Sequence, residues 1–284
     1  MSEEKTLIDD IYEMLMREYE YRQMQREEKL KNKKIISATE IANFCEEKAI
    51  LRLRGVKPEI KKERIGARLH GVILHETFER LLNLYFRGKY DMEKEVVVKM
   101  KDWKIIGHPD IMLINRNMRD LYDFKFVNPT KFKIAQETKE PSLLYIWQTN
   151  LYMYMLRKNG IPIEKGHIVY VNKSSMTFRS KGEKKRIDEF SLLRLDAPYN
   201  EKAVAVLLKH AEDIITKFER GEDGFNVEKT VEKLKSYYEM MGLDPSVIDK
   251  ENFPKWGCEY CDYIDICPVR KMEKKINNQK EMEL

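Results

Sequence analysis

The sequence lacks any apolar run approaching the ~20 residues that a membrane-spanning helix requires. Its N-terminus, with Glu3, Glu4, Asp9 and Asp10, is acidic and carries no signal-peptide pattern. Membrane spanning and secretion are thereby disfavoured, and the chain reads as an intracellular, cytoplasmic protein. Cysteine is scarce, with four in 284 residues, and three of the four fall inside ten residues. That usage in an intracellular chain argues for metal binding and against a disulfide framework. A strong charge of one sign is also missing: 53 Lys and Arg face 48 Asp and Glu, a net +5. Such a balance permits nucleic-acid binding without demanding it, since a dedicated binding domain is usually more basic. Glutamine is sparse where Lys and Glu abound, a composition resembling that of proteins from hot environments. With 42% hydrophobic and 36% charged residues, the chain is a globular one, long enough for one large domain or two smaller ones.

The chemistry-bearing stretch is Gly107-His108-Pro109-Asp110 followed by Asp123-Phe124-Lys125. Trp103 to Ile114 and Arg119 to Val127 are apolar and β-branched enough for two strands, with Asn115-Arg116-Asn117 supplying the turn of a hairpin. Alternation in the second strand puts Leu121, Asp123, Lys125 and Val127 on one face and Tyr122, Phe124 and Phe126 on the other. Phe124 is expected to anchor the pair of charges in a core. The Gly and Pro before Asp110 interrupt the first strand, and a bend there would carry Asp110 toward Asp123. Two carboxylates held close repel unless a hard divalent cation such as Mg²⁺ or Mn²⁺ lies between them. A lysine beside that cation can stabilise the charge of a phosphorane-like transition state. A solvated strand face with an Asp-Lys ion pair is the plainer explanation of the Asp-x-Lys tripeptide alone.

The flanking segments read mainly as helices. Thr6 to Leu30 is a charged pattern with an Ile8, Ile11, Leu15, Tyr19 stripe. Ile35 to Leu53 is a helix capped by Ser37 or Thr39, with Glu40 completing a capping box after Ser37. Arg52, Arg54, Lys57, Lys61, Lys62, Arg64 and Arg68 form a basic segment suited to a phosphate backbone or to solvent. Ala67 to Tyr85 has the apolar spacing of a buried helix. His75 is preferred over His70 as a ligand there because Glu76 and Glu79 follow it. Pro141 to Lys158 is a helix stopped by Asn159-Gly160, with Gln148 and Tyr152 on one face. Lys165 to Lys173 is a strand and Thr177 to Leu195 a basic hairpin. Glu201 to Arg220 and Glu228 to Met241 are amphipathic helices. The elements together predict an α/β fold, a mixed central sheet flanked by helices.

At the far end stands Cys258-x-x-Cys261-x5-Cys267. With Cys45 as a fourth thiolate, the set suits Zn²⁺ or a 4Fe-4S cluster, and spacing does not separate the two.

Taken in order, Cys45, Gly71-x-x-x-His75, Gly107-x-x-Asp110, Asp123-x-Lys125, Gln148-x-x-x-Tyr152 and Cys258-x-x-Cys261-x5-Cys267 resemble the RecB-like branch of the PD-(D/E)XK nucleases. More closely, they resemble the CRISPR-associated RecB-like exonucleases, the fourth family of Cas proteins. The resemblance runs from about Ser37 to Arg270. It implies a PD-(D/E)XK core in which His75, Asp110, Asp123 and the Phe124 carbonyl bind Mn²⁺ or Mg²⁺ and Lys125 assists hydrolysis. It also implies that Gln148 and Tyr152 contact DNA and that Cys45, Cys258, Cys261 and Cys267 hold a 4Fe-4S cluster. The expected activity is metal-dependent cleavage of single-stranded DNA, chiefly from an end, to trim prespacers with the CRISPR integrase complex. The mixed aromatic and basic residues from Phe126 to Lys133 suit such a substrate. Four segments follow: an appended helix (1–34), a helical segment with the first cluster cysteine (35–66), the nuclease core (67–225) and a C-terminal helical region (226–284). Cys45 is followed by Glu46-Glu47 where the family commonly has a Pro and a basic residue, and the helix before Ile35 is an addition. Other readings of the same residues are an AddB-type recombination or viral end-processing nuclease, a non-catalytic iron-sulfur assembly module, and a zinc-stabilised binding protein.

Overall fold

The computed structural model describes residues 34–58, 62–86, 91–92, 95–115, 118–173, 191–222 and 227–248, single positions between 13 and 28, and Cys261, Tyr263, Ile266 and Cys267. Most of the expected N-terminal helix, and residues 177–190 of the expected hairpin over 177–195, lie outside these residues. The chain divides into two compact units. One comprises 1–35, 45–73 and 214–284, the other 36–44 and 74–213.

The second unit holds the sheets. β1 (Ile35–Ser37), β4 (Trp103–Gly107) and β3 (Val96–Met100) make a three-stranded sheet in the order β1-β4-β3. β2 (Asp91–Met92), β5 (Ile111–Asn115), β6 (Met118–Val127), β7 (Lys165–Asn172) and β8 (Leu192–Ala197) make a five-stranded one in that order. β6 and β7 run parallel while the other pairs in this sheet run antiparallel. A parallel pair needs a long crossover. Here it is built from α4 (Pro129–Thr138) and α5 (Leu143–Lys158). The interior strand β7 is buried along six consecutive residues, as a strand covered on both faces must be.

The expected single strand from Trp103 to Ile114 is in fact two strands belonging to different sheets. Gly107 ends one and Ile111 begins the other. The intervening His108-Pro109-Asp110 cannot complete a ladder, because proline has no N–H to donate. Tyr152 stands close over Gly107, where a Cβ would meet its Cε1 at 2.9 Å and Cδ1 at 3.0 Å.

The expected helix from Ile35 to Leu53 is likewise divided. Ser37 and Glu40 do form the capping box of α1 (Ala38–Ala42). Phe44 then takes a left-handed backbone at φ 51° and α2 (Glu46–Leu53) follows. That conformation is costly for a residue with a Cβ. Burial offsets it: Phe44 is 4% exposed, its ring 4.6 Å from Trp147 and 4.7 Å from His210. α4 was not anticipated from the sequence, although Asn128 caps it through Lys131 N–H at 2.8 Å and Pro129 opens it.

Two helical layers flank the larger sheet. Val127, Ile168, Tyr170 and Leu195 bury against Phe132 and Ala135 of α4. On the opposite face Phe124 lies 4.8 Å from Phe78 of α3 (Lys62–Tyr85). The face carrying Asp123 proves the more buried one: Leu121, Asp123 and Val127 are at most 5% exposed, while Phe124 and Phe126 are half-buried. Away from the Asp-Lys pair, buried His167 of β7 faces Asp196 at 2.8 Å and Asp120 at 3.2 Å, linking three strands.

In the first unit α2 packs Leu51 against Cys261 and Tyr263. Glu46, almost fully buried, pairs with Lys217 of α6 (Glu201–Glu219) and Lys233 of α7 (Val227–Met241). A carboxylate withdrawn from water needs such partners. Glu46, which directly follows Cys45, is therefore part of the packing of this unit.

Candidate active site

The site is assembled where β5 stops and β6 continues. Ile111 pairs with Tyr122 as the last rung of the β5–β6 ladder. Asp110 directly precedes Ile111 and lies close enough to Asp123 for its charge to act on that carboxyl. The Asp110 carboxylate then substitutes for the missing strand, accepting the Phe124 N–H at Oδ2 at 2.7 Å. An orphaned edge amide is thus satisfied by a charged side chain.

α3 supplies the next shell of the same unit. His75 Nε2 lies 3.2 Å from Asp110 Oδ1, and His75 Nδ1 lies 3.1 Å from Glu79 Oε1. Glu79 is one turn beyond His75, the spacing that brings helical neighbours together. His75, Glu79 and Asp110 offer ligand atoms all within 4.8 Å of one another. An imidazole and two carboxylates form a donor set suited to a hard divalent cation. Glu79 is the member that spacing from His75 could have named and that the expected ligand set omits. His70 lies where only the backbone is described.

On the other side of Asp110, Lys125 Nζ is 2.7 Å from Asp123 Oδ2 and donates to Gln148 Oε1 at 3.1 Å. Gln148 Nε2 donates to the Tyr152 hydroxyl at 2.8 Å and to Thr39 Oγ1 at 3.0 Å. Gln148 and Tyr152, one turn apart on α5, are thus bound to each other and to Lys125. Thr39, considered in the sequence only as a cap, is the outer member of this chain of contacts.

The electrostatics follow from burial and crowding. Burial pushes the Asp123 carboxyl up, the Lys125 ammonium opposes it, and the Asp110 charge pushes it up again, to about 6. Burial alone would lower the His75 imidazole, but Asp110 and Glu79 outweigh it and raise it to about 10. Lys125 is held above its ordinary value by Asp123 and Asp110 in spite of its burial. Burial, with the Asp123 charge, raises the Tyr152 phenol to about 12. The site therefore concentrates negative charge that one imidazolium and one ammonium only partly balance. A divalent cation between the carboxylates would relieve that excess.

Of the four cysteines, Cys45 and Cys267 are half-buried and Cys261 is buried, all in the first unit. Cys45 is the N-cap of α2, the helix that packs on Cys261 through Leu51. Cys258 lies outside the described residues.

The family model of the PD-(D/E)XK nuclease superfamily matches residues 46–268. The chain belongs to the PD-(D/E)XK nuclease superfamily. Nucleases of this superfamily use divalent metal ions, and the His75, Glu79 and Asp110 group offers an acidic site for one. The solved structure of SSO0001 is 18% identical, with a TM-score of 0.52 over 94% of this chain and 99% of that one, a likeness of fold. An alkaline exonuclease from Laribacter hongkongensis is 13% identical at a TM-score of 0.48, covering 66% of this chain and 89% of its own. A phage-related exonuclease from Haemophilus somnus is 14% identical at 0.34, covering 52% and 68%. The search of curated proteins gives no match. No helix among the described residues is long and apolar enough to cross a membrane.

Proposed function

We propose that this PD-(D/E)XK protein is a Mn²⁺- or Mg²⁺-dependent DNA exonuclease that acts on single strands, with internal cutting also open to it, and trims prespacer ends beside the CRISPR integrase complex. The support that matters most is the closeness of Asp110 and Asp123 at the start of β5, with Lys125 Nζ 2.7 Å from Asp123. His75, Asp110, Asp123 and the Phe124 carbonyl would hold the cation, with Glu79 as a further carboxylate. When bound, the cation supplies positive charge to the phosphoryl group and acidifies water. Asp123 and Gln148 aim the Lys125 ammonium, which meets negative charge as it grows on the phosphoryl oxygens during in-line attack. Tyr152 fixes Gln148 and shares with it the contact to DNA.

Cys45, Cys258, Cys261 and Cys267 would hold a 4Fe-4S cluster. The contact of α2 with Cys261 favours this reading, because it ties the segment that Cys45 opens to the C-terminal cysteines. A cluster there would have a structural role, joining segments far apart in sequence.

The test uses anaerobically purified protein and DNA labelled at either end, single-stranded or duplex, with and without the integrase complex. Shortening of single strands from a labelled end in Mn²⁺, and of prespacer overhangs with the complex, is the expected result. Equal cutting of duplex, or indifference to the complex, would redirect the reading to a recombination or repair nuclease. A brown protein carrying four iron atoms supports the cluster, and stoichiometric zinc overturns it.

A further inference from the structure

α4 brings a second ammonium beside the site. Lys131 Nζ donates to the Tyr145 hydroxyl at 2.9 Å and lies 4.4 Å from the centre of that ring. Lys125 Nζ lies 5.1 Å from the same centre. One phenol ring therefore contacts two ammonium groups.

Their states differ. Lys125 is paired with Asp123. Among the described residues no carboxylate pairs with Lys131, and its acceptor is a neutral hydroxyl. Lys133, two residues on, is exposed and pairs with Glu137 at 3.6 Å. An ammonium has three donors, so Lys131 keeps two beyond its bond to Tyr145. The Tyr145 hydroxyl accepts that bond and keeps its own proton to donate. Both side chains are half-buried, and Tyr145 packs against the Val127, Phe132 and Tyr170 cluster. The ring lies over positive charge, an arrangement favoured by its quadrupole. A fixed cation and a hydroxyl donor converging beside the Asp123-Lys125 pair match an anion with several acceptor oxygens. On a nucleic-acid strand that anion is a backbone phosphate.

We propose that Lys131 and Tyr145 form a phosphate-binding point for a DNA strand next to Lys125, separate from the residues that would hold the cation. That the phosphate belongs to DNA rests on the nuclease reading above; the donor geometry does not. The point grips the strand and takes no part in hydrolysis, so it governs affinity and registers which phosphodiester faces Lys125.

Full-length protein is titrated into fluorescently labelled single-stranded DNA in EDTA across a salt series, and steady-state cleavage is measured in Mn²⁺. For Lys131→Ala we expect about tenfold weaker binding at low salt and a salt slope smaller by about 0.7, the share of one phosphate on a single strand. KM should rise in step while turnover at saturating DNA stays within about twofold of wild type. Lys131→Arg should recover both. Tyr145→Phe keeps the ring and should weaken binding without changing the salt slope. Lys209→Ala, removing an exposed lysine on α6, controls for bulk charge and should change neither. An unchanged slope in Lys131→Ala, an equal change in Lys209→Ala, or a fall in turnover alone would each overturn the proposal. Thermal melting in each variant separates these outcomes from misfolding. If wild type binds with the expected slope difference but never cleaves, the nuclease reading fails while the phosphate point stands.

Discussion

The Asp110 carboxylate receives the Phe124 N–H at 2.7 Å, across the gap left where β5 turns away from β6. This bond makes Asp110 part of the sheet as well as of the site, and the two roles can be separated. Asparagine can still accept from Phe124, whereas alanine leaves the amide without that acceptor, at a cost of about 1–3 kcal/mol. Asp110→Asn and Asp110→Ala should both lose cleavage by at least ~100-fold. Urea denaturation should find the alanine variant the less stable of the two. Equal stabilities would show that the bond contributes nothing to the fold.

Lys125 balances a buried carboxylate. Lys125→Ala should reduce cleavage by roughly 100- to 1,000-fold and destabilise the metal-free protein, since breaking one side of a buried pair costs up to about 3–5 kcal/mol. Mn²⁺ should restore part of that stability by replacing the lost positive charge. Melting curves with and without Mn²⁺ check this, and an identical melting temperature for variant and wild type in EDTA would refute it.

The two raised values set a pH dependence. His75 holds its proton more tightly when folded, its value moving from 6.5 to about 10. The folded state is then the more protonated between those limits. Its contribution is complete below 6.5 and is lost as pH rises toward about 10. Asp123, raised from 3.8 to about 6, adds an earlier decline between those two values. Stability of the metal-free protein should therefore fall with rising pH, and His75→Gln should flatten the upper window. Denaturation in EDTA at both ends of that window measures it; parallel curves for the two proteins would contradict the assignment. A divalent cation needs the neutral imidazole, so its affinity should rise over the same range.

Gly107 is held small by Tyr152. In Gly107→Ala the new methyl meets that ring at 2.9 Å and Met155 Cε at 3.3 Å, an overpacking worth about 1–3 kcal/mol. Because the displaced ring carries the hydroxyl bound to Gln148, turnover should fall too. Gly166→Ala, which meets Thr149 at 2.7 Å and the Ala197 carbonyl at 3.0 Å, should lower stability alone. Turnover per folded molecule distinguishes the two, and equal turnover would detach Tyr152 from the site.

Alternation from Leu121 to Val127 made Asp123 and Lys125 neighbours legible from sequence, and the Gly-x-Pro-Asp interruption marked where Asp110 leaves its strand. The change of sheet at that interruption was not legible, because strand pairing depends on partners remote in sequence. Which face of β6 is buried was also hidden: α4 and α5 cover the Asp123 side, and two charges on that side imitate a solvated one. Phe44 broke an expected helix because its ring fits between Trp147 and His210, contacts that no local propensity records. α4 did announce itself through Asn128-Pro129, but its aromatic and basic residues resembled a loop. Glu79 was legible as the residue one turn after His75. The Thr39, Gln148 and Lys125 contacts join three segments and had no local signal.

If Asp110, Asp123 and Lys125 make a metal-dependent phosphodiesterase, cleavage of end-labelled single-stranded DNA by purified wild type and Asp123→Asn will show it. Wild type should shorten the DNA in Mn²⁺ and stop in EDTA, while the folded variant, still binding DNA, should leave it intact. Equal cleavage by the two proteins, or cleavage that persists in EDTA, would show that these residues do not form such a centre.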